Sequence, residues 1–408
     1  MKLLLSGLLL AGAACAAPSP EAPGLLGAAI VQPLLDQDPE VMAARAGLGQ
    51  ARQDANALEA SPYEWTARAS AQRRTSEPGA RSNEWNVGLE RTLRLPAKGS
   101  ADRRIAAAMR DEGVARYRGA WRAASRELVD QWLDWLAARE GQTLALAHLK
   151  AAQDNLAAVE KRIKAGDASR LDANLARAEM AEQQRVGNEA RTASAVAWAR
   201  LHARFPALPE QVAPVPSALP LALQAASLRE RIAERNSALQ GAQAQLRKAQ
   251  AQSERARAER VPDPTVGVYT ASEARHQERI TGVMLSMPIP GAQRRARAGS
   301  VGYGAEMTRH ELDLKQRELD ASIAVMFATT EGAYAGWKIA ESGAAAMRQN
   351  AALAQRAYVL GEADLNTVLT AGRLATSAEQ SEMAAKVAAT RAYYALLLEA
   401  DLLWPTID

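Results

Sequence analysis

Residues 93–104 read LRLPAKGSADRR, and residues 285–297 read LSMPIPGAQRRAR. Each is the end of an alternating strand that meets a proline and passes into an Ala- and Arg-rich helix. Further on, residues 162–179 read RIKAGDASRLDANLARAE and residues 357–374 read AYVLGEADLNTVLTAGRL. Each is a Gly-centred break followed by a helix of small residues. Pro96 to Gly166 is 70 positions, and Pro290 to Gly361 is 71. Two elements that keep one spacing twice mark an internal duplication.

The period of the apolar residues changes at those prolines. Before them, Trp85, Val87, Leu89, Leu93 and Leu95 alternate on one strand face, with Arg91 interrupting it. Val283, Leu285, Met287 and Ile289 do the same in the second copy. After them the period is near 3.6, as in Leu128, Trp132, Trp135 and Leu136. The first helix meets no proline until Pro206, and seventy residues before the Gly166 break make a rod of roughly 100 Å. Gly166 and Gly361 are placed to take the left-handed conformation that ends a helix. Ser169 with Asp172 is a start signal for the return helix, and Asp364 is an N-cap for its counterpart.

The sequence therefore divides into a leader at 1–17, a first repeat at 18–205, a Pro-rich linker at 206–222 and a second repeat at 223–408. The first repeat has a helix from near Asp38 to Ala60, strands at about 63–72 and 85–95, and a helical hairpin at about 97–205 with its turn near 166. Polar loops, residues 73–84 and 272–278, join the strands of each pair. The second repeat has a helix from about Leu223 to Arg260, strands at about 265–272 and 279–289, and a hairpin at about 291–404 with its turn near 361, ending at Pro405. Pro18 to Pro23 reads as a disordered mature start.

Composition agrees with long helices in contact. Aromatic residues are 4% of the chain and Phe occurs twice, whereas Ala and Leu dominate the apolar content. Lys2 followed by a short apolar stretch and small residues is an export leader, expected to direct the chain to a Gram-negative periplasm or outer membrane. Cys15 is the only cysteine. Its surroundings fit two fates: cleavage after a small-x-small site, or lipidation of Cys15 in a loose lipoprotein box. The net charge is +4, and the arginine pairs are short and scattered, so nucleic-acid binding is not expected. His148, His202, His276 and His310 stand alone, without partners at metal-ligand spacing. No metal, no cofactor and no enzymatic activity are expected.

Each copy offers two strands of roughly 9–11 residues, the length a tilted strand needs to cross a bilayer. Four strands make only a strip, and open edges in lipid leave backbone groups unsatisfied. Strands that cross a membrane here require several chains in one barrel. Trp65, Trp85, Val283 and Leu285 would then face lipid or an interface, with aromatics at the membrane boundary. The alternatives are short edge hairpins on a soluble helical scaffold, and a periplasmic adaptor with one helical hairpin between β-rich halves.

PDPTVGV at 262–268, VMLSMPIP at 283–290 and the two Gly turns resemble the TolC-like outer membrane efflux family, over nearly the whole mature chain. Asp172 and Ala176-Arg177 follow Gly166 at family-like offsets, as Val368, Leu369 and Ala371 follow Gly361. The heavy-metal efflux branch is the most similar. The resemblance implies a mainly α fold with a membrane β-barrel portion: duplicated strand pairs and long coiled helical hairpins forming a trimeric channel-tunnel. It implies a homotrimer in outer membrane lipid, with a long periplasmic extension. It also implies a periplasmic adaptor (membrane fusion protein) and an inner membrane pump of the resistance-nodulation-division type. Gly166, Asp167, Gly361 and Glu362 would form the periplasmic tip that meets the adaptor. Heavy-metal cations are one substrate class; drugs, other small molecules or type I secretion substrates are the alternatives. The chain departs from the family at the second turn, where Thr367 and Thr370 stand in place of acidic residues and Ala363 in place of an arginine. Asp172, Asp364 and Glu362 remain candidates for a gate or a cation-attracting ring, or simply for helix caps.

Overall fold

The computed structural model describes residues 25–76, 79–211, 213–221, 225–273 and 277–405. The leader, Cys15, Pro18 to Pro23 and His276 lie outside the described residues. In chain order the elements are α1 Ala28–Asp36, α2 Pro39–Ala60, β1 Trp65–Ser76, β2 Ala80–Thr92, α3 Pro96–Ala165 and α4 Arg170–Arg204. The second half has α5 Ala225–Arg235, α6 Ser237–Ala258, β3 Thr265–Glu273, β4 Glu278–Ser286, α7 Ala292–Val359 and α8 Leu365–Glu399. The duplicated order of helix, strand pair, long helix and return helix is therefore present.

The chain forms two compact units. One holds the residues up to Leu34, Ser125–Arg231 and those from Met326 onward; the other holds Leu35–Ala124 and Ile232–Val325. Each unit takes residues from both copies, because each long helix contributes to both.

The second of these units contains the sheet, in the order β1-β2-β3-β4, every pair antiparallel. The central pair, β2 with β3, joins the first copy to the second. Beneath the sheet, α2 and α6 pack on the first part of α3. Gly113 of α3 lets α2 approach so closely that a Cβ there would meet Ala51 Cβ at 3.1 Å. Arg110 bonds Glu59 of α2 at 2.8 Å, and Lys248 of α6 bonds Glu112 at 2.8 Å.

The strands reach further toward the hairpin turns than the apolar alternation suggests. Arg73 to Ser76 pair with Ala80 to Asn83 in the ladder of β1 and β2 instead of looping, and Gly79 beside them takes a φ of 110° that glycine adopts freely. At the other end the ladder stops early. Leu95 and Met287 to Ile289 lie beyond it, since Pro96, Pro288 and Pro290 carry no N–H. The helix expected from Leu223 to Arg260 is two helices. Asn236 breaks it by accepting from Leu239 N at 2.8 Å as the cap of α6, a local bond that competes with the helix.

The other unit has its core on the second part of α3. Leu128, Trp132, Leu133, Trp135 and Leu136 are buried there with Leu201, Phe205, Leu396 and Leu397. Trp135 stands 5.0 Å from Trp132 and 4.8 Å from Trp198. The Pro-rich linker lies along this core, held by Thr390 Oγ1 donating to Pro216 O at 2.8 Å. The final helix stops at Glu399, short of Pro405. Asp401, with φ of 56°, supplies a left-handed cap, and Leu402 N returns to Leu397 O at 3.0 Å. Trp404 Nε1 then bonds Leu26 O at 3.1 Å, joining the two ends of the described chain.

Candidate functional site

The two Gly turns are the same object built twice. At the first, Gly166 N returns to Ile163 O at 3.0 Å and Asp167 N to Arg162 O at 2.8 Å. At the second, Gly361 N returns to Tyr358 O at 3.1 Å and Glu362 N to Ala357 O at 2.8 Å. This pair of bonds is the Schellman closure of a helix. It needs a left-handed residue, and the φ values are 87° at Gly166 and 80° at Gly361.

Three residues after each glycine a side chain caps the return helix. Ser169 Oγ accepts from Asp172 N at 3.1 Å, while Asp172 Oδ2 accepts from Ser169 N at 2.9 Å. In the second turn Asp364 Oδ1 accepts from Thr367 N at 2.7 Å and from the Thr367 hydroxyl at 2.6 Å. Carboxylate and hydroxyl have exchanged places between the copies. Those bonds, the hydroxyl first and the backbone second, hold the Asp364 carboxyl below the usual carboxylate range. Asp172 and Asp364 are thus both engaged in caps. Asp167 and Glu362, one position past each glycine, are exposed.

The turns meet in one apolar cluster. Val159, Ala173 and Ala176 from the first copy are buried against Leu365 and Leu369 from the second, with Ile163 and Tyr358 beside them. Arg162 lies over the Tyr358 ring at 4.7 Å. Farther from the turns, both Nε and Nη2 of Arg373 reach Glu179 Oε2, at 2.9 and 2.7 Å. His148 Nε2 and Glu379 Oε2 are 3.0 Å apart. Sequence reasoning missed both pairs. Their members lie 194 and 231 positions apart, and nothing local marks such partners.

The sheet has two unlike faces. The register puts Trp65, Ala67, Ala69, Ala71, Trp85, Val87, Leu89, Val266, Val268, Val283 and Leu285 on one side. All four candidate lipid or interface residues share this face, with Val283 85% and Leu285 73% exposed. The opposite face carries Thr66, Arg68, Ser70, Gln72, Glu84, Asn86, Glu90, Tyr269 and Glu273. It is also the crowded face. A Cβ at Gly282 would stand 2.7 Å from the Tyr269 ring, and one at Gly267 2.9 Å from Glu90 Cβ. Side chains converge on the polar side, as on the concave side of a curved sheet.

Among the described residues no group of His, Cys, Asp and Glu could hold a metal ion. No helix there is long and apolar enough to cross a membrane.

This combination of one two-faced sheet and paired helical hairpins is that of outer membrane channels. The fold matches CusC, described with transmembrane channel formation, at a TM-score of 0.77 and 17% identity over 91% of each chain. It matches the outer membrane protein VceC of Vibrio cholerae at a TM-score of 0.76 and 16% identity, over 91% of this chain and 95% of that one. The outer-membrane channel OprN matches at a TM-score of 0.71 and 20% identity, over 92% and 90%. No curated protein matches the sequence. The model of the outer membrane efflux protein family matches residues 30–204, most of the first copy. That match covers less than half of the chain, and the likeness of fold extends over both copies.

Proposed function

We propose that the chain is one of three identical subunits of an efflux channel. It acts as a passive exit duct for substrate passed on by an inner membrane pump, of the resistance-nodulation-division type, through a periplasmic adaptor. The observation that carries the reading is the sheet. One face is apolar, the other is polar and crowded with side chains, and β1 and β4 are open edges. Open edges cannot stay unpaired in hydrocarbon. Closing them with further copies gives an apolar exterior and a polar lumen, the arrangement of a membrane barrel.

The helices make the same demand. On α7, Thr330, Trp337 and Ala344 are buried at a seven-residue spacing. Gly332, Ile339, Ala346 and Leu353 keep the same spacing and are all exposed. A heptad seam seeks a partner helix. One seam of α7 is filled within its own chain, and the other is open to a neighbouring copy.

The turns with Gly166, Asp167, Gly361 and Glu362 are then the entrance and the adaptor contact. Threefold copies of Asp167 and Glu362 would surround that mouth with carboxylates, which favours cations. This supports heavy-metal cations as the substrate class. Separation of membranes tests the first reading: the chain should be recovered from the outer membrane as a detergent-stable trimer, and a soluble periplasmic monomer would overturn it. A deletion strain challenged with cobalt, zinc, cadmium, copper and antibiotics tests the second. Sensitivity to antibiotics alone would overturn the cation assignment.

A further inference from the structure

Within the chain β2 pairs with β3, and the helices that flank this pair, α3 after β2 and α6 before β3, lie side by side. Arg104 pairs with Glu254, Asp111 with Arg247 at 2.9 Å, and a Cβ at Gly119 would meet Ser237 Oγ at 3.3 Å. Positions rise along α3 as they fall along α6, so the two helices are antiparallel. The other two flanking helices, α7 after β4 and α2 before β1, stand at the open edges of the sheet. The face that α7 turns away from its own chain carries large apolar side chains, with Tyr303 75% and Met307 60% exposed. The outer face of α2 is small: Ala46, Gly49, Ala57 and Ala60 are exposed. No atom lies within 4 Å of where a Cβ at Gly47 or Gly49 would stand. Glycine inside a helix weakens it, and among the described residues nothing uses the space these two leave. Asp54 of α2 and Arg297 of α7 are exposed, and their side chains make no ion pair or hydrogen bond among the described residues.

We propose that α7 of each copy packs on α2 of the next copy as α3 packs on α6 within one chain, with Arg297 paired to Asp54 of that neighbour and Tyr303 seated over its Gly49. The inference rests on the reading of the chain as a trimer closed through its sheet edges, and it names the helices that meet there. β4 of one copy then lies beside β1 of the next, which brings α7 beside α2. The duplication supplies the register. Pro96 corresponds to Pro290, and Pro62 to Pro262. Carried over at those offsets, Arg104 falls at position 298, next to Arg297, and Glu254 falls on Asp54. The ion pair that joins α3 to α6 thus has a counterpart of the same signs, with its members at opposite edges of one chain. One turn and a half farther from the sheet on both helices stand Tyr303 and Gly49, and a glycine without a Cβ leaves room for the ring. Opposite charges at matching heights also disfavour a slipped pairing of copies.

The test uses the full-length protein in isolated outer membranes. Asp54→Cys with Arg297→Cys should give, on mild oxidation, disulfide-linked products of two and three copies. Each single variant, which controls for Cys15, should give none. Asp54→Cys with Arg317→Cys should give none either, since that site is displaced by roughly 30 Å along α7. In detergent, Asp54→Arg should shift the trimer toward monomers, and Arg297→Asp added to it should restore the trimer. Gly49→Leu should also release monomers while leaving the protomer folded, because the site is open in its own chain. No link in the double cysteine variant, or a trimer unmoved by both Asp54→Arg and Gly49→Leu, would overturn the contact. Links to a different protein would assign this face to that partner and overturn it as well. A wild-type chain that is not a trimer refutes the trimeric reading itself; a trimer without the link refutes only this pairing of helices.

Discussion

Asp263 Oδ1 lies 2.9 Å from Lys98 Nζ, and the side chains are 4% and 3% exposed. The carboxylate opens the first strand of the second copy; the ammonium belongs to the first helical turn after the second strand of the first copy. The same carboxylate accepts from Leu95 N at 3.0 Å and from the Tyr63 hydroxyl at 2.7 Å. Asp263 is the acid of the PDP motif, and its role is to tie the two copies together where strands become helices. Burial raises its pKa, but the bonds from Leu95, Lys98 and Tyr63 outweigh this and hold the carboxyl below its usual range. A depressed folded pKa adds stability above the unfolded value, about 3.9, and loses it as pH falls through the folded one. Thermal unfolding of the wild type should therefore weaken below about pH 4, in a step that Asp263→Asn lacks. At neutral pH, Asp263→Asn leaves a buried ammonium without its anion and should cost about 3–5 kcal/mol. Pairing it with Lys98→Met should recover most of that loss.

The exchanged caps make a second test. Asp364→Ala removes the acceptor for both Thr367 groups and should lower the unfolding temperature. Asp364→Ser with Thr367→Asp rebuilds the order found at Ser169 and Asp172. That double variant should unfold like the wild type if the hydroxyl–carboxylate pair matters and its direction does not. Failure to recover would show that the direction at the second turn has its own role.

What was legible in the sequence was punctuation. Proline and glycine act through backbone geometry, so Pro96, Gly166 and Gly361 announced strand ends and helix turns without any knowledge of neighbours. Alternation placed Trp65, Trp85, Val283 and Leu285 on one face for the same reason. Asn236 was less visible, since asparagine is tolerated inside helices and breaks one only when its side chain finds the backbone. The polar hairpin ends read as loops because their residues carry no apolar period. Asp263–Lys98, Glu179–Arg373 and His148–Glu379 were illegible because long-range pairs have no spacing rule. The exchange at the second turn lay between the two: Thr367 was read as a missing acid, and the structure shows the acid moved three residues back to Asp364.

At the turns, Gly361→Val forces a β-branched residue into left-handed backbone and should cost about 1–2 kcal/mol or more locally. The site is open, with no atom within 4 Å of where a Cβ would stand, so the loss is conformational and not steric. The trimer should still form and reach the outer membrane, while efflux measured by substrate retention in cells should fall. Gly166→Val should behave alike, because the two closures are equivalent. Unchanged efflux in both variants would remove these turns from the entrance.

The two seams of α7 separate folding from assembly on a single helix. Trp337 is 7% exposed and packs against Ala218 and Ala389 in its own chain. Trp337→Ala should therefore destabilise the protomer by about 3–5 kcal/mol. Ile339, two residues on and nearly opposite, is 72% exposed. Ile339→Glu touches little within the chain and should change protomer stability by less than about 0.5 kcal/mol. In a trimer whose neighbouring helix fills the open seam, the same substitution buries a charge in an apolar contact and should shift the protein to monomers, read by cross-linking in detergent. A trimer that survives Ile339→Glu and Leu353→Glu together would mean that the open seam is not a subunit contact. The sheet edges would then have to hold the copies together alone.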